Sequence, residues 1–191
     1  MRNIKEQSKC IMKESSSAKK FIAIVAIGNQ DQEFLRSLTE IVLKCDCKIN
    51  ECKASLLGDK LSISALITGN WNAIAKAESA LARVAEEENL SIQIKKTSEF
   101  IGKGEIPYLA ETFAPRRPEL VNEILKFFIN QKTRIIEVQV STYLASITRS
   151  DMQSIQLTVG IPENIAIGGL RNDFVDFCEN CNIDAVLEPV K

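Results

Sequence analysis

The chain has 191 residues, of which 45% are hydrophobic and 26% are charged, and its formal net charge is -1. This length allows one large domain or two small ones, and the balanced charge gives no global field that would draw the chain to nucleic acid or to an anionic membrane. The longest aliphatic run, residues 21–27, is far too short to span a bilayer. The composition therefore predicts an ordinary soluble protein without a membrane span.

The first half of the chain predicts the element order βαββαβ. Residues 1–19 are polar and predict a flexible tail, and the run FIAIVAIG (21–28) predicts a buried strand. Apolar residues at helical spacing predict a helix over residues 33–44. A hairpin should follow with its turn at Gly58-Asp59, then an alanine-rich helix capped by Asn70. The alternating stretch LSIQIKKT (90–97) predicts the last strand.

The same order is predicted again after a linker over residues 98–105. A strand in IPYLAETFA (106–114) precedes a helix that should begin at Pro118, since proline suits the first helical turn. A hairpin and a second helix follow, and we expect Gly168-Gly169 to weaken or break that helix. The stretch IDAVLEPV (183–190) predicts the closing strand.

A constant offset supports the repeat. Moving by 86 residues takes Glu33 to Glu119, and the same shift relates Leu38 to Ile124, Val42 to Phe128, Ile49 to Ile135, Glu51 to Glu137 and Ser55 to Ser141. The hairpin of the second half is longer, so that the offset grows after Tyr143. The economical interpretation is an α+β protein of two tandem ferredoxin-like βαββαβ domains, residues 20–97 and 106–191, each with an antiparallel sheet and helices on one face.

Five of the six cysteines form two local groups: KCDCKINECK (44–53) contains three, and CENC (178–181) contains two. Strand alternation predicts that Cys47 shares a face with Ile49, whereas Cys52 lies on the opposite face. The chain contains no histidine, and a structural zinc site needs four converging Cys or His ligands. We therefore expect ordinary buried thiols, with Cys45 or Cys47 largely buried, over a redox pair or a metal site.

No catalytic motif is present in the sequence. Histidine, the commonest general base, is missing from the chain, and no P-loop or GxGxxG pattern surrounds the glycines. The acidic run Glu86–Glu88 at a helix end is typical of a solvated face. The sequence therefore predicts a protein that is not an enzyme and that needs no cofactor.

The stretch CDCKINECKASLLGDKLSISALITGNWNAI (45–74) resembles the first ACT domain of the glycine cleavage system transcriptional repressor family, most specifically at GNWNAI (69–74). The second half fits by pattern, with RPELV (117–121) similar to the loop that starts the first helix. The resemblance implies two ACT domains and a cytoplasmic regulator that binds a LysR-type transcriptional activator rather than DNA. It also implies modulation by a small amino acid, glycine in the family, and a homodimer is compatible with it.

In ACT domains, amino acids typically bind where the loop after the first strand of one copy faces the second strand of another. Residues at the corresponding positions are the candidate ligand-binding residues, which are Asn29, Gln30, Asp31, Gln32 and Glu33 in the first loop, Arg116 and Arg117 in the second loop, and Lys48 and Arg134 at the strand starts. Glu33 and Glu119 stand where the family has glycine, and Lys48 and Arg134 stand where it has asparagine. Three interpretations stay open: pockets that have become packing surfaces, an altered and more anionic ligand, or retained glycine.

Alternatives to the activator-binding regulator are an amino-acid sensor with another partner and a cysteine-based redox or metal-handling protein. Trp71 would mark a partner surface if it is exposed, because tryptophan is enriched at interfaces. Its position at the start of a helix favours core packing instead.

Overall fold

A computed structural model describes residues 19–29, 32–99 and 104–190, with Gln32 described in its backbone alone. These residues form two compact units, each built around one four-stranded sheet.

The first unit has the order βαββαβ. Its elements are β1 (Lys20–Asn29), α1 (Gln32–Lys44), β2 (Lys48–Leu57), β3 (Lys60–Gly69), α2 (Trp71–Glu87) and β4 (Ser91–Thr97). The strands are antiparallel in the spatial order β2-β3-β1-β4. The predicted turn at Gly58-Asp59 and the predicted cap are confirmed, with the Asn70 side chain accepting from the Ala73 amide at 2.8 Å.

The second unit repeats this order. Its elements are β5 (Glu105–Pro115), α3 (Leu120–Asn130), β6 (Arg134–Leu144), β7 (Asp151–Pro162), α4 (Ile167–Asn180) and β8 (Asp184–Pro189). The antiparallel strands lie in the order β6-β7-β5-β8, which matches the first sheet strand for strand.

Alternation along the strands places each core on one face of its sheet. In β1 the buried residues Ile22, Ile24 and Ala26 pack with Phe34 of α1 and Leu81 of α2 in one cluster. The second unit has the same arrangement, with α3 and α4 contributing to one core against β5 and β7. Both helices of a unit therefore cover the same face, and the predicted fold class of two ferredoxin-like βαββαβ units is confirmed.

The backbone repeats the offset of 86 in detail. The pairing of β2 with β3 shifts between Ile49 and Glu51, and that of β6 with β7 shifts between Ile135 and Glu137, which marks a β-bulge at equivalent places. Left-handed residues follow the first helix of each unit at Asp46 (φ 59°) and Lys132 (φ 58°). Equivalent bulges and equivalent left-handed residues show that the repeat extends to the main chain.

Two expectations about the helices of the second unit need correction. The helix α3 begins at Leu120 rather than Pro118, because residues 118–119 form a turn before it. The helix α4 is continuous, with Gly168 and Gly169 in its first turn. Leu170, Phe174 and Cys178 recur every four residues on its buried face, and this packing holds the helix together despite the glycines.

The protein should be more stable with glycine in place of Lys132. A non-glycine residue in the left-handed region is strained, so that Lys132→Gly should raise the free energy of unfolding by about 0.5–1 kcal/mol. The same substitution at the exposed position Lys126 inside α3 should lower it by about 1 kcal/mol. Denaturant titrations of both variants measure the difference, and equal effects of the two substitutions would contradict the assignment of strain to Lys132.

Candidate ligand-binding loops

The candidate residues of the first loop lie where β1 passes into α1. Gln30 and Asp31 lie outside the described residues, and nothing is described of the Gln32 side chain. Asn29 ends β1 opposite Lys60, and its Oδ1 accepts from Lys60 Nζ at 2.9 Å. Glu33 is exposed in the first turn of α1, where its Oε2 forms an ion pair with Arg36 Nη2 at 2.6 Å. The Glu33 carboxylate is therefore held along α1 by a side chain one turn away.

Lys48 lies far from this loop within the same unit. It is exposed at the start of β2 and pairs with Thr68, whereas Asn29 pairs with Lys60 at the other end of β3. The two positions are eight residues apart along β3, or roughly 26 Å at about 3.3 Å per residue. One unit therefore does not bring Lys48 and the first loop together.

The second loop places its two arginines differently. The Arg116 amide donates to the Asp151 carbonyl at 3.0 Å, which joins the loop to the start of β7, and the Arg116 side chain is exposed. Arg117 Nη2 forms an ion pair with Glu123 Oε2 of α3 at 2.8 Å. Both of these atoms are shielded from solvent, and they meet without the alignment of a hydrogen bond. A ligand anion at Arg117 would have to displace Glu123 or share the guanidinium with it.

Arg134 forms an ion pair at the end of the second sheet that lies away from the second loop. Its Nε donates to Glu105 Oε2 at 2.7 Å, across the position of Gly160 on β7. A Cβ atom at Gly160 would lie 2.6 Å from Glu105 Oε2, so glycine leaves room for this ion pair. Arg134 pairs with Gly160 while Pro115, the last residue of β5, pairs with Met152, which is again eight residues away along β7.

The loop residues and the strand residues of the candidate site therefore belong to opposite ends of each sheet. A pocket that uses both kinds must take its loop from one unit and its strand from a different unit or a different copy of the chain. The carboxylate partners Glu105 and Glu123 were not anticipated from the sequence. Glu105 is 29 residues from Arg134, and no local spacing pattern indicates the pairing.

Gln153 is a further polar residue of the second unit that the sequence did not indicate. It is buried on the helix-covered face of β7 opposite Ala114, one residue before β5 ends. Its Oε1 has no hydrogen-bond partner among the residues that the structure describes. The register gives Leu61 as its counterpart in the first unit, opposite Gly28. The second core is thus more polar than the first near its loop.

The cysteines are mainly packing residues. Cys47 is buried and lies so close to Gly69 that a Cβ there would be 3.0 Å from Cys47 Sγ. The expected burial of Cys45 or Cys47 is confirmed by Cys47. Burial, followed by the neighbouring Cys45 and Asp46, raises the pKa of the Cys47 thiol. No three His, Cys, Asp or Glu side chains are grouped to hold a metal ion in the described part of the chain.

The predicted face of Cys52 is wrong. The bulge after Ile49 adds one residue to β2, so that Ile49 pairs with Ile67 and Cys52 pairs with Ala65 on the same face. Cys52 is nevertheless exposed, because it lies on an edge strand.

The favoured interpretation of Trp71 as a core residue is also wrong. Trp71 is the first residue of α2, and 71% of its surface is exposed. The buried stripe of α2 runs through Ala73, Ile74, Ala77 and Leu81. At 3.6 residues per turn, Trp71 falls to the side of this stripe.

No helix in the described residues has the length and apolar character that a membrane crossing requires.

Residues 20–95 match the ACT domain family. The chain is 24% identical over 178 residues to the glycine cleavage system transcriptional repressor of Escherichia coli (strain K12), a match that covers 91% of this chain and 92% of the relative. The repressor of the same name from Shigella flexneri matches with the same identity and coverage.

Two crystal structures share the fold over 91% of this chain. One is assigned as a glycine cleavage system transcriptional repressor, with a TM-score of 0.69, 16% identity and 98% of its own chain covered. The other is an unknown protein from Galdieria sulphuraria, with a TM-score of 0.71, 13% identity and 100% of its chain covered. The first unit is therefore similar to the ACT domain family over residues 20–95, and the chain as a whole is similar to the glycine cleavage system transcriptional repressors, which confirms the resemblance predicted from the sequence.

Proposed function

We propose that the chain is a non-enzymatic regulator of transcription that acts in the cytoplasm by contacting a LysR-type activator of the glycine cleavage operon. The observation that carries the proposal is the 24% identity to a named repressor of this system over 91% of the chain. The proposal assigns the regulatory effect to protein–protein contact, and not to direct specific binding of DNA. The overall charge of -1 supports that choice, because DNA-binding domains are typically basic.

The composition of the chain supports the absence of catalysis. The chain has no histidine, and the arginines Arg117 and Arg134 of the candidate loops each face a carboxylate within 2.8 Å. Arginines already paired with carboxylates are not poised as electrophilic groups for a substrate. Trp71, exposed at the start of α2, is our candidate contact for the activator because large exposed aromatic residues are enriched at interfaces.

Binding to the purified activator on operator DNA is the direct test. Addition of the chain should change the mobility or anisotropy of the activator–DNA complex, while the chain alone should leave the operator unaffected at physiological salt. A specific footprint by the isolated chain would contradict the proposal. Amino-acid binding without any activator contact would favour the alternative of a sensor that serves another partner.

The domain boundaries form part of the proposal. We assign residues 20–97 to the first ACT domain and 106–191 to the second, with 1–19 as a tail and 98–105 as a linker, of which residues 1–18 and 100–103 lie outside the described part of the chain. Limited proteolysis should cut the proposed tail and linker first, because proteases cleave preferentially outside packed domains. Early cleavage within either assigned domain would contradict these boundaries.

Glycine should bind weakly to the wild-type chain. The N-terminus of α1 favours anions such as an amino-acid carboxylate, but Glu33 places its own carboxylate in this first turn. Replacing Glu33 by glycine removes this negative charge and opens the space that its side chain occupies. Glu33→Gly should therefore improve amino-acid affinity by about tenfold, given a typical helix-terminus effect on the order of 1 kcal/mol.

Calorimetry with glycine, serine and aspartate measures this effect, and Glu33→Gln is the matched control. The glutamine removes the charge and keeps the size, so that comparison of the two variants separates electrostatic competition from steric filling. Tight glycine binding by the wild-type chain would contradict the expectation.

A further inference from the structure

The hairpin between β6 and β7 is longer than its counterpart in the first unit. The offset of 86 relates Leu57 to Tyr143. The register makes Met152 the counterpart of Lys60, since each pairs with the last residue of the strand that precedes the candidate loop. Between these positions the first unit has a turn of two residues, whereas the second unit has the eight residues 144–151. The first unit closes the same hairpin without the six additional residues, so the fold itself does not require them.

The additional residues form a hairpin tip, residues 144–151, that extends beyond the end of β5 and carries exposed aliphatic side chains. Ile147 lies in the middle of the turn and has 95% of its surface exposed, more than any other large apolar residue that the structure describes. Leu144, the last residue of β6, is exposed as well. Loops that the scaffold does not need are where binding residues are most often found. Ile147 is therefore a candidate contact residue.

Hydrogen bonds within the hairpin tip fix its backbone. The Ala145 amide donates to the Ser150 carbonyl, and the Arg149 amide donates to the Ala145 carbonyl, each at 3.0 Å. The Ser150 amide also donates to Thr148 Oγ1 at 3.4 Å. These bonds hold Arg149 in the left-handed region at φ 55°, which is unfavourable for a residue other than glycine. A tip that is already ordered loses little conformational entropy when a partner buries it, so Ile147 is preorganised for binding.

We propose that the hairpin tip inserts Ile147 into an apolar socket on the LysR-type activator, as a contact additional to Trp71. The inference rests on the proposed function and names the part of the second unit that the activator contacts. An aliphatic side chain in a socket, surrounded by groups that form hydrogen bonds, is the usual arrangement of an interface centre and its rim. The hydroxyl groups of Ser146 and Thr148 flank Ile147 and supply such a rim.

The charges of the hairpin tip favour a protein socket over a lipid surface. The tip carries one arginine and one acid, Arg149 and Asp151, so that its net charge is zero. Stable attachment to a membrane needs a large apolar area together with attraction to anionic lipids. The tip offers two large aliphatic side chains, Leu144 and Ile147, and no excess of positive charge. A socket on a protein needs neither, because shape complementarity around one side chain suffices.

Truncation of Ile147 tests the contact. In a titration of the labelled chain with purified activator on operator DNA, followed by anisotropy, Ile147→Ala should bind about 30-fold more weakly than the wild-type chain, as expected for a central interface residue. Ile129→Ala is the matched control, because Ile129 near the end of α3 is also exposed and loses the same atoms. The control should bind like the wild-type chain.

A second variant removes the hairpin tip as a whole. Residues 144–151 are replaced by the two residues Gly-Asp that close the equivalent hairpin of the first unit. This variant should fold, since the first unit folds with that turn, and it should bind the activator at least as weakly as Ile147→Ala. Circular dichroism verifies the fold of all three variants.

The outcomes separate this inference from the proposed function. A wild-type chain that does not bind the activator would overturn both. Binding by the wild-type chain that Ile147→Ala leaves unchanged, or that Ile129→Ala weakens equally, would overturn the inference alone. Sedimentation with vesicles of phosphatidylcholine and phosphatidylserine tests a membrane as the occupant, and sedimentation velocity over a concentration series tests a second copy. An association in either experiment that Ile147→Ala abolishes would also overturn the inference.

Discussion

Replacing Phe174 by alanine should lower the free energy of unfolding of the second unit by about 3–5 kcal/mol, the usual loss for a buried phenylalanine. Phe174 lies on α4 with no exposed surface, and its ring centroid is 4.9 Å from that of Phe128 on α3. A second ring, Phe127, lies 5.4 Å away. Truncation would therefore leave a cavity between the two helices and the sheet, where the rigid strands limit collapse.

A neighbouring phenylalanine provides the matched control. Phe177 lies on the same helix, is partly buried and stacks on Phe127 with a centroid distance of 5.1 Å. Phe177→Ala removes the same atoms from a site that solvent partly reaches, so it should cost clearly less. A loss at Phe177 as large as that at Phe174 would show that burial does not decide the effect.

Hydrogen exchange separates the two units in this experiment. If residues 20–97 and 106–191 fold as separate domains, Phe174→Ala should lower the protection of amides in β5, β6, β7 and β8 and leave β1, β3 and β4 unchanged. A loss of several kcal/mol is a large part of the 5–15 kcal/mol that holds a typical domain together. Equal loss of protection in both units would contradict their independence.

The repeat could be predicted because the apolar side chains of the two halves have the same spacing. Apolar positions at an offset of 86 fix which face of each helix and strand is buried, and burial is the largest favourable term in folding. The structure extends the same offset to the bulges and to the left-handed residues Asp46 and Lys132. Neither feature has a distinctive residue at its position, since the bulges lie at Asn50 and Ile136 and the left-handed positions are not glycine.

The two wrong predictions for single residues, Cys52 and Trp71, have local physical causes. Strand alternation failed at Cys52 because one bulged residue reverses the face of everything after it. Trp71 was expected in the core because it starts a helix, but the buried stripe of α2 runs through Ala73, Ile74, Ala77 and Leu81 and leaves Trp71 to one side. The face of Cys52 thus depends on a bulge that no distinctive residue marks, whereas the side that Trp71 occupies follows from the predicted cap and the helical period.

The candidate site was less predictable than the fold. The positions of Arg117 and Arg134 followed from the family resemblance, but their partners Glu123 and Glu105 depend on how helix and strand ends meet. The separation of the loops from the strand starts is a property of sheet topology. With β1 and β5 central in their sheets, the strand that precedes each loop runs away from the start of the second strand. The separation of loop and strand start within each sheet agrees with the family resemblance, which places the loop of one copy against the second strand of another.

At pH 8, the Cys178 thiol should be alkylated at least about a thousandfold more slowly than the thiol of an unstructured cysteine peptide, because the thiolate is the reactive form. Burial, followed by the neighbouring Cys181, raises the pKa of Cys178 to about 12. The side chain is also 1% exposed within the core of the second unit, so reagent access is restricted. Cys52 is exposed on β2 and should react rapidly in the same sample.

The pH dependence of the alkylation rate shows whether the raised pKa of Cys178 slows its reaction. A thiol is neutral when protonated, so a raised pKa means that the thiolate fraction of Cys178 grows about tenfold per pH unit from pH 8 towards about 12. An unstructured cysteine peptide has its pKa at about 8.5, and its rate should level off above pH 9. Mass spectrometry after timed exposure to iodoacetamide measures each site, and the urea-unfolded chain provides the control in which Cys178 should react like the peptide. Rapid modification of Cys178 in the folded chain at pH 8 would return the CENC pair to consideration as a redox site, because a redox-active cysteine needs an accessible thiolate.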